Sequence, residues 1–596
     1  MGEVVQLPLV RGEGKSRYSM DWLDRLPVNM LPVAKAVKGA NGYLRMFPGI
    51  EKKSDVDGVS RGVHWNTVKD KPYRVMGNKL YLDGGGAVAD VPNSDRVSMA
   101  HSRTSQAVST GGKLRLYLYA PDSDGVTEKV FSNWPETETV PAENNIIYQK
   151  THNKDGDTIT LTAAQTNGTL TLNITPINGS NKAGAVISLE ESDWSTGKSQ
   201  TQPTTGTPYL TNVTVSGAKF PGATLTINYT FNANGGSATD VSKIEWVQNI
   251  PESVKTNAQY DWGLVGDVCR LRGRYVFAQQ GTDTFWVSSL EDESHPDLVA
   301  PAYRAESMPD GILAVREWRD YVLLFGTATI EFFGLTGDAN NILRSQPSYM
   351  VRYGIAGQFA VCDYMDSFGF VSNPARGQSS VYIMSGQGGS ATEIATYHIK
   401  TILSEYSADE LKSTICERLY FKNHKLLIIH LPRHTLVYDA ESSQQIGPTW
   451  FVLKTGLNDD VYRGVDFINE GGEISVGDLS EAVLGKLTDN LSSQYGIDQE
   501  LILYTPMIQT ENAIVSDFEI DANTGVDTVV SHVFVSTTED GINFGMEKQV
   551  NYDAPWHWLS RTLWRRVGRV RTQMGFKIRM VGATPATMAN CQVRLD

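Results

Sequence analysis

Few residues in this 596-residue chain stand at spacings that could do chemistry. His430 and His434, in HLPRH, have the i, i+4 separation with which two helical histidines share a metal ion. Pro432 lies between them and β-type apolar runs flank them, so that helix is not expected. On a strand the two rings would share a face about 13 Å apart, at roughly 3.3 Å per residue. A third ligand and a general base are also missing, and both read as structural histidines. LEDESHPD, Leu290 to Asp297, gathers Glu291, Asp292, Glu293 and Asp297 around His295. A calcium loop needs ligands at alternating positions and a glycine at its sharp turn. The segment instead reads as a charged turn, ended by Pro296, that makes salt bridges within or between subunits. The run Gly84-Gly85-Gly86 precedes neither a helix nor a Lys-Ser or Lys-Thr pair, so no phosphate loop is supported. Cys269, Cys362, Cys416 and Cys591 lie far apart without CxxC spacing, which signals neither a zinc site nor a redox pair. Free thiols in a chain made in a reducing compartment are expected. No cofactor and no metal are expected.

The sharpest charge signal runs from Arg561 to Arg579, with seven basic residues and no acidic one. If LWRRVGRVR is a strand, Arg565, Arg569 and Arg571 project from one face together with Val567. The chain as a whole has a formal net charge of −14 and a pI of about 5.3. A basic face in such a chain meets an acidic neighbouring subunit, DNA phosphates or solvent, and the subunit contact is favoured. The overall acidity argues against DNA wrapping. It is compatible with a surface that DNA slides past, and equally with plain solubility.

The elements that must position these residues are β-strands. Short apolar runs alternate with turns rich in Gly, Asn or Asp, as in YRVMGNKLYL, GKLRLYLYA, RYVFAQQGTDTFWVSSL and DYVLLFGTATIEFFGL. Each reads as a hairpin. Outside the middle of the chain they recur at roughly 40 to 55 residues, the blade spacing of a β-propeller, which is favoured over stacked sandwiches. One short helix is expected over SADELKST, with Ser407 as N-cap and Glu410 at N3. TTEDGINF, Thr537 to Phe544, is reminiscent of the Asp-box turn of sialidase propellers but is one residue short, and reads as a structural turn.

The stretch 136–255 differs in composition, with eighteen threonines between residues 151 and 230, many alternating with apolar residues. Alternation of this kind marks half-buried antiparallel strands. Tyr209 to Gln248 resembles the front half of an Ig-like module, with Trp246 the tryptophan between two sheets. The whole stretch is expected to be a β-sandwich inserted in a propeller loop. Its five N-x-S/T sequons, at Asn167, Asn173, Asn178, Asn212 and Asn228, read as chance products of a Thr- and Asn-rich composition. From about Thr505 the rhythm breaks again into a separate C-terminal β domain. The fold class is thus all-β: a propeller core with an inserted Ig-like sandwich and a C-terminal β domain. The expected division is 1–70 (N-terminal segment), 71–135 and 256–504 (propeller), 136–255 (insertion) and 505–596 (C-terminal domain).

Size and composition allow three or four domains at about 150 residues each, with an ordinary globular balance of 40% hydrophobic and 20% charged residues. The N-terminus has no apolar h-region, so no secretory signal is read there. No run approaches 18 apolar residues, so no membrane helix is expected. The chain is expected to be made, and to stay, in the cytoplasm unless a particle carries it out.

A colinear series of motifs narrows the reading. LPVNML (Leu26 to Leu31), GYLRMFPGI (Gly42 to Ile50), GVSRGV (Gly58 to Val63) and RVSMAHSRTSQAV (Arg96 to Val108) open it. LEDESHPD, PDGI (Pro309 to Ile312), GIAG (Gly354 to Gly357) and LLIIHLPRHTLVYDAESSQQIGPTWFVLKTGLNDDVYRGVDF (Leu426 to Phe467) continue it. SSQY (Ser492 to Tyr495), DGINFG (Asp540 to Gly545) and LWRRVGRVR (Leu563 to Arg571) close it. In this order they resemble the packaged-DNA stabilisation proteins, the tail hub or nozzle proteins of short-tailed phages of enteric bacteria. The resemblance covers most of 1–135 and 258–596, and none is assigned to the stretch between. It implies a propeller core and a ring of copies, six in number, beneath the portal and its adaptor protein. That ring would retain packaged DNA together with a tail needle, carry tailspikes or fibres, and form part of the ejection channel, touching double-stranded DNA without sequence specificity. Residues 1–70 would help fasten the subunit, and the insertion would lie peripherally and could touch the host surface. The expected place is the virion tail.

Two other readings stay open at this stage. A propeller glycosidase would need two carboxylates about 5 to 10 Å apart in a cleft. A receptor-binding tail protein would leave heads full of DNA when removed.

Overall fold

The computed structural model describes residues 3–9, 12–15, 22–37, 40–83, 85–92, 94–112, 114–121, 123–130, 137–152, 156–235, 240–256, 264–291, 297, 302–308, 310–338, 340–373, 377–384, 389–523, 531–552 and 560–596. The chain divides into two compact units, Trp134–Asp261 and the remainder.

In the larger unit the hairpin rhythm produces seven antiparallel sheets of four or five strands each. Their first strands are Ser60–Asn66, Ser98–His101, Val265–Leu271, Ile312–Trp318, Val361–Tyr364, Ile415–Phe421 and Gly464–Glu470. These are the innermost strands of blades 1 to 7 of a propeller, and together they line one central cavity. The strands read as nearly continuous apolar runs because both faces of each blade pack on neighbouring blades. Leu426, Leu427, Ile428 and Ile429, the core of the conspicuous run in blade 6, are all fully buried. Leu427 and Ile429 face the cluster with Tyr364 and Val371 of blade 5, while Leu426 and Ile428 face Val476 and Tyr462 on the blade 7 side.

Blade 7 takes its outermost strand from the other end of the chain. Gly49–Asp55 pairs antiparallel with Val483–Thr488, closing the ring. Gly485 sits at the closest approach, where a Cβ would collide with Ile50. The N-terminal segment expected over 1–70 is therefore not a separate element. Gly49–Asp55 completes blade 7, Ser60–Asn66 begins blade 1, and Glu3–Leu7, Met30–Val33 and Tyr43–Met46 join the C-terminal domain. The reason is pairing: an unpaired strand edge is costly, and both incomplete sheets offer one.

The C-terminal domain is a β-sandwich. One sheet combines Met30–Val33, Tyr43–Met46, Thr587–Leu595, Ile514–Ala522 and Thr562–Arg569, with Glu3–Leu7 beside Thr587–Leu595. The other holds Gln499–Tyr504, Gln573–Gly582, Ser531–Thr538 and Lys548–Tyr552, with Ile508–Gln509 beside Gln573–Gly582. The domain begins at Gln499, a few residues before the expected break at 505. Phe518, Phe576 and Trp564 centre its core, with Phe518 stacked on Phe576 at 4.5 Å. Residues 27–29 tie the sandwich to blade 6. Val28 N–H donates to Ile502 O at 2.9 Å, Asn29 N–H to Val452 O at 2.8 Å, and Asn29 Nδ2 to Glu500 O at 3.0 Å.

The smaller unit is the sandwich that the threonine alternation predicts. A four-stranded sheet (Glu143–His152, Val241–Ile250, Thr169–Ile177, Ile187–Leu189) faces a three-stranded one (Asp157–Thr160, Thr224–Asn232, Tyr209–Ser216). Trp246 is fully buried between them, edge-on to Trp194 at 5.8 Å. The helix over Ala408–Leu411 forms with the reciprocal capping box of Ser407 and Glu410.

Candidate functional site: the propeller channel and the basic strand

The seven innermost strands enclose a cavity of 820 Å³. Charged side chains line it, and they are spent on holding blades together. Asp466 of blade 7 accepts from Arg96, ahead of blade 2, at 2.5 Å and from Ser60 Oγ of blade 1 at 2.6 Å. The fully buried Arg74 donates to Asp466 O and to Ser475 Oγ, both at 2.9 Å. Burial alone would push the Asp466 carboxyl up, but Arg96, Ser60 and Arg74 outweigh it and hold it low. Asp267 of blade 3 accepts the backbone N–H of Val315 at 2.8 Å and of Val268 at 2.9 Å, and pairs with Arg316 of blade 4 and Ser98 of blade 2. Each carboxylate therefore bridges at least two blades.

At the other end of the cavity His64 Nε2 lies 2.8 Å from His101 Nδ1, and His101 Nε2 lies 2.7 Å from Thr67 Oγ1. Burial, then His101 and Arg316, push His64 down to about 3; burial and Arg270 lower His101. A histidine held neutral in the fold but titrating normally when unfolded takes up its proton preferentially in the unfolded state. Stability is then complete above about pH 6.5 and is lost as pH falls from there towards 3. His64→Asn should flatten this dependence, losing about 2 kcal/mol less than the parent chain between pH 7 and pH 4.5. Urea melts at the two pH values measure it, and parallel pH curves for parent and variant would count against the pair.

The remaining motifs take structural places. HLPRH is a tight hairpin turn rather than one strand, with Leu431 N–H bonded to His434 O at 2.8 Å. His430 Nε2 lies 2.9 Å from Glu417 Oε1, and His434 Nδ1 2.6 Å from Tyr406 Oη, so the two rings have separate partners. Asp297 pairs with Arg274 at 2.6 Å, as a salt-bridging turn requires. Asp292, Glu293, His295 and Pro296 lie outside the described residues, as does Gly84. Asp540 accepts the backbone N–H groups of Ile542 and Asn543 at 2.9 and 2.8 Å, which holds its carboxyl at about 2 against burial. All four cysteines are free, and burial pushes the thiols up, away from reactivity. Among the described residues no group of three His, Cys, Asp or Glu side chains could hold a metal.

The basic run is split by the fold. Arg561 pairs with Glu519, with Nε at 2.6 Å, and Arg579, in the opposite sheet, pairs with Glu547 at 2.9 Å. Arg565 and Arg569 stand on the exposed face of the edge strand Thr562–Arg569, opposite Asp517 and Ile514. Arg571 lies in the turn that follows. Among the described residues none of these three, nor Arg566, has a carboxylate within 4 Å. Val567 departs from the expectation: it is buried in the sandwich core. A β-bulge explains this, because Arg566 takes a left-handed backbone (φ 53°) and the register slips by one residue between Arg565↔Asp517 and Gly568↔Val515. Neither the bulge nor the inter-blade ion pairs leave a spacing signal in the sequence, since Arg96 and Asp466 stand 370 residues apart.

The larger unit is thus an all-β protein: a propeller closed by its own N-terminal strand and a sandwich that draws strands from both chain ends. Comparison with known proteins gives the family. The family profile described as Bacteriophage P22 Gp10, beta-propeller, matches residues 5–169 and 222–492, and the corresponding beta-sandwich profile matches 500–596. The tail hub protein gp10 of Salmonella phage P22 is 40% identical over 596 residues, covering 100% of each chain. The chain belongs to this Gp10 family: it is a structural phage-tail protein and not an enzyme. The similarity also reaches into the stretch 136–255, which sequence reading set apart; within that stretch 170–221 falls outside both profiles. Among solved structures, an exo-β-1,3-galactanase of Phanerochaete chrysosporium aligns at TM-score 0.21 and 10% identity, covering 55% of this chain and 82% of that one. Kluyveromyces lactis Hsv2p aligns at TM-score 0.23 and 10% identity, covering 66% and 97%. Both similarities are too slight to bear on function.

Proposed function

We propose that this chain is the hub of a short phage tail, assembling as a ring of six copies beneath the portal and its adaptor. There it retains packaged DNA, carries the tail needle and the tailspikes or fibres, and forms part of the conduit through which DNA leaves. The full-length similarity to a tail hub protein carries this reading. The propeller's own cavity, 820 Å³, is lined by the ion pairs of Asp466 and Asp267 that hold its blades together. The conduit is therefore the lumen between copies, and each propeller is a rigid block in its wall. Cyclic head-to-tail contacts suit such a ring, because every copy offers two different faces.

Arg565, Arg569 and Arg571 are the proposed contact to a neighbouring subunit. Replacing the three arginines by glutamate should block incorporation into particles, seen as loss of the chain from purified virions. Normal incorporation with normal DNA retention would refute the assignment. The hub reading itself is tested by the DNA content of particles carrying an early stop codon in this gene. Heads that fill and then empty are expected; heads that stay full but do not adsorb would point to a receptor-binding part instead.

A further inference from the structure

The inserted unit enters and leaves through one antiparallel ribbon. Thr137–Val140 pairs with Ser253–Thr256, from Thr137↔Thr256 to Val140↔Ser253. After a gap on each strand the ladder resumes as Glu143–His152 against Val241–Ile250, starting at Glu143↔Ile250. The gap holds Pro141 and Ala142 on one strand and Pro251 and Glu252 on the other. A proline has no N–H to give to a ladder, so this gap lacks a donor on each side. Among the described residues no backbone hydrogen bond joins 141–142 to 251–252. All four residues are exposed, as are Glu143 to Ile146 just beyond them.

The pieces on either side of the gap are held very differently. Val241–Ile250 is a central strand, flanked by Glu143–His152 and Thr169–Ile177, and its Ile244 and Trp246 lie in the sandwich core. The ribbon Thr137–Val140/Ser253–Thr256 belongs to no larger sheet. A two-stranded ribbon is marginal without a third strand, and where its ladder stops little resists bending. The sandwich, by contrast, is tied together up to its far end. There Asn234 Nδ2 donates to Pro203 O at 3.2 Å and to Thr204 O and Thr207 O at 3.0 Å. The buried Asn178 donates to Gly206 O at 3.0 Å. The length of Val241–Ile250 puts these loops about 30 Å from the gap, at roughly 3.3 Å per residue. A small bend at the gap is therefore a wide sweep at the loops.

We propose that the gap at Pro141 and Pro251 is a hinge about which the inserted sandwich swings as one body relative to its ribbon. A hinge needs only a few element-terminal residues that absorb the change in φ and ψ, and Ala142 and Glu252 beside the prolines take that part. The proposal does not depend on the hub reading. The test is the distance distribution between two spin labels on the full-length chain, measured by pulsed electron paramagnetic resonance. One label stands at Ser253→Cys in the ribbon and the other at Thr205→Cys in the far loops. Both are placed in a Cys362→Ser background, since the other three native thiols are buried. A reference pair, Thr169→Cys and Thr205→Cys, lies wholly within the sandwich. The ribbon-to-loop distribution should be clearly broader than the reference. Pro141→Thr/Pro251→Thr restores both donors with a strand-favouring residue and should narrow it about twofold, leaving the reference unchanged. Pro141→Thr alone should narrow it less, and keeps the test decisive if the double variant aggregates. A ribbon-to-loop distribution as narrow as the reference, or equal widths with and without the prolines, would overturn the hinge.

Discussion

Asp466→Asn should destabilise the propeller by about 3–5 kcal/mol, because the neutral amide at this buried position leaves Arg96 without its paired counter-charge. The asparagine keeps the shape of the side chain and tolerates the left-handed backbone that Asp466 adopts (φ 58°), so the loss isolates charge rather than strain. In a thermal melt of the whole chain the propeller transition should fall by roughly 5–10 °C, while the sandwich transition stays in place. Adding Arg96→Met should restore part of the loss, since a matched apolar side chain spares the desolvation of an unpaired cation. A single-substituted chain that melts like the parent would show that the three-blade junction of Ser60, Arg96 and Asp466 contributes little.

The second large effect concerns ring closure. Removing residues 1–56 takes away the outer strand of blade 7 and three strands of the C-terminal sheet. Without Gly49–Asp55 the edge of Val483–Thr488 is exposed, and such an edge templates aggregation. The truncated chain is expected in the insoluble fraction. Removing residues 1–8 deletes only Glu3–Leu7, which pairs with the end of Thr587–Leu595. That shorter truncation should stay soluble and keep the propeller transition, with the sandwich transition lowered. A soluble, cooperatively melting chain lacking 1–56 would mean that closure is dispensable.

Much of this architecture was legible in the chain. Apolar runs punctuated by Gly, Asn and Asp turns predict blades, since strand and turn chemistry are local. Trp246 was readable as a between-sheet tryptophan because alternation on its strand fixes which side chains point inward. The Ser407–Glu410 capping box was readable for the same reason, its signal spanning four residues. What escaped was set by distant pairing. Gly49–Asp55 has no local property that assigns it to a blade more than 400 residues away, and Asp466 carries no mark of its tie to Arg96. Val567 was misplaced by a bulge that only the opposing strand reveals.

The pairing of Glu3–Leu7 with Thr587–Leu595 also sets a timetable. At a synthesis rate of about 5–20 residues per second, the first strand waits roughly half a minute to two minutes for its partner to leave the ribosome. Until then the sandwich cannot close, whereas the ring can close earlier, once Val483–Thr488 meets Gly49–Asp55. A chain that stops after blade 7 could therefore close its ring and still lack the sandwich. Each copy thus joins its two ends in the sandwich only after the ring of blades has had its chance to form.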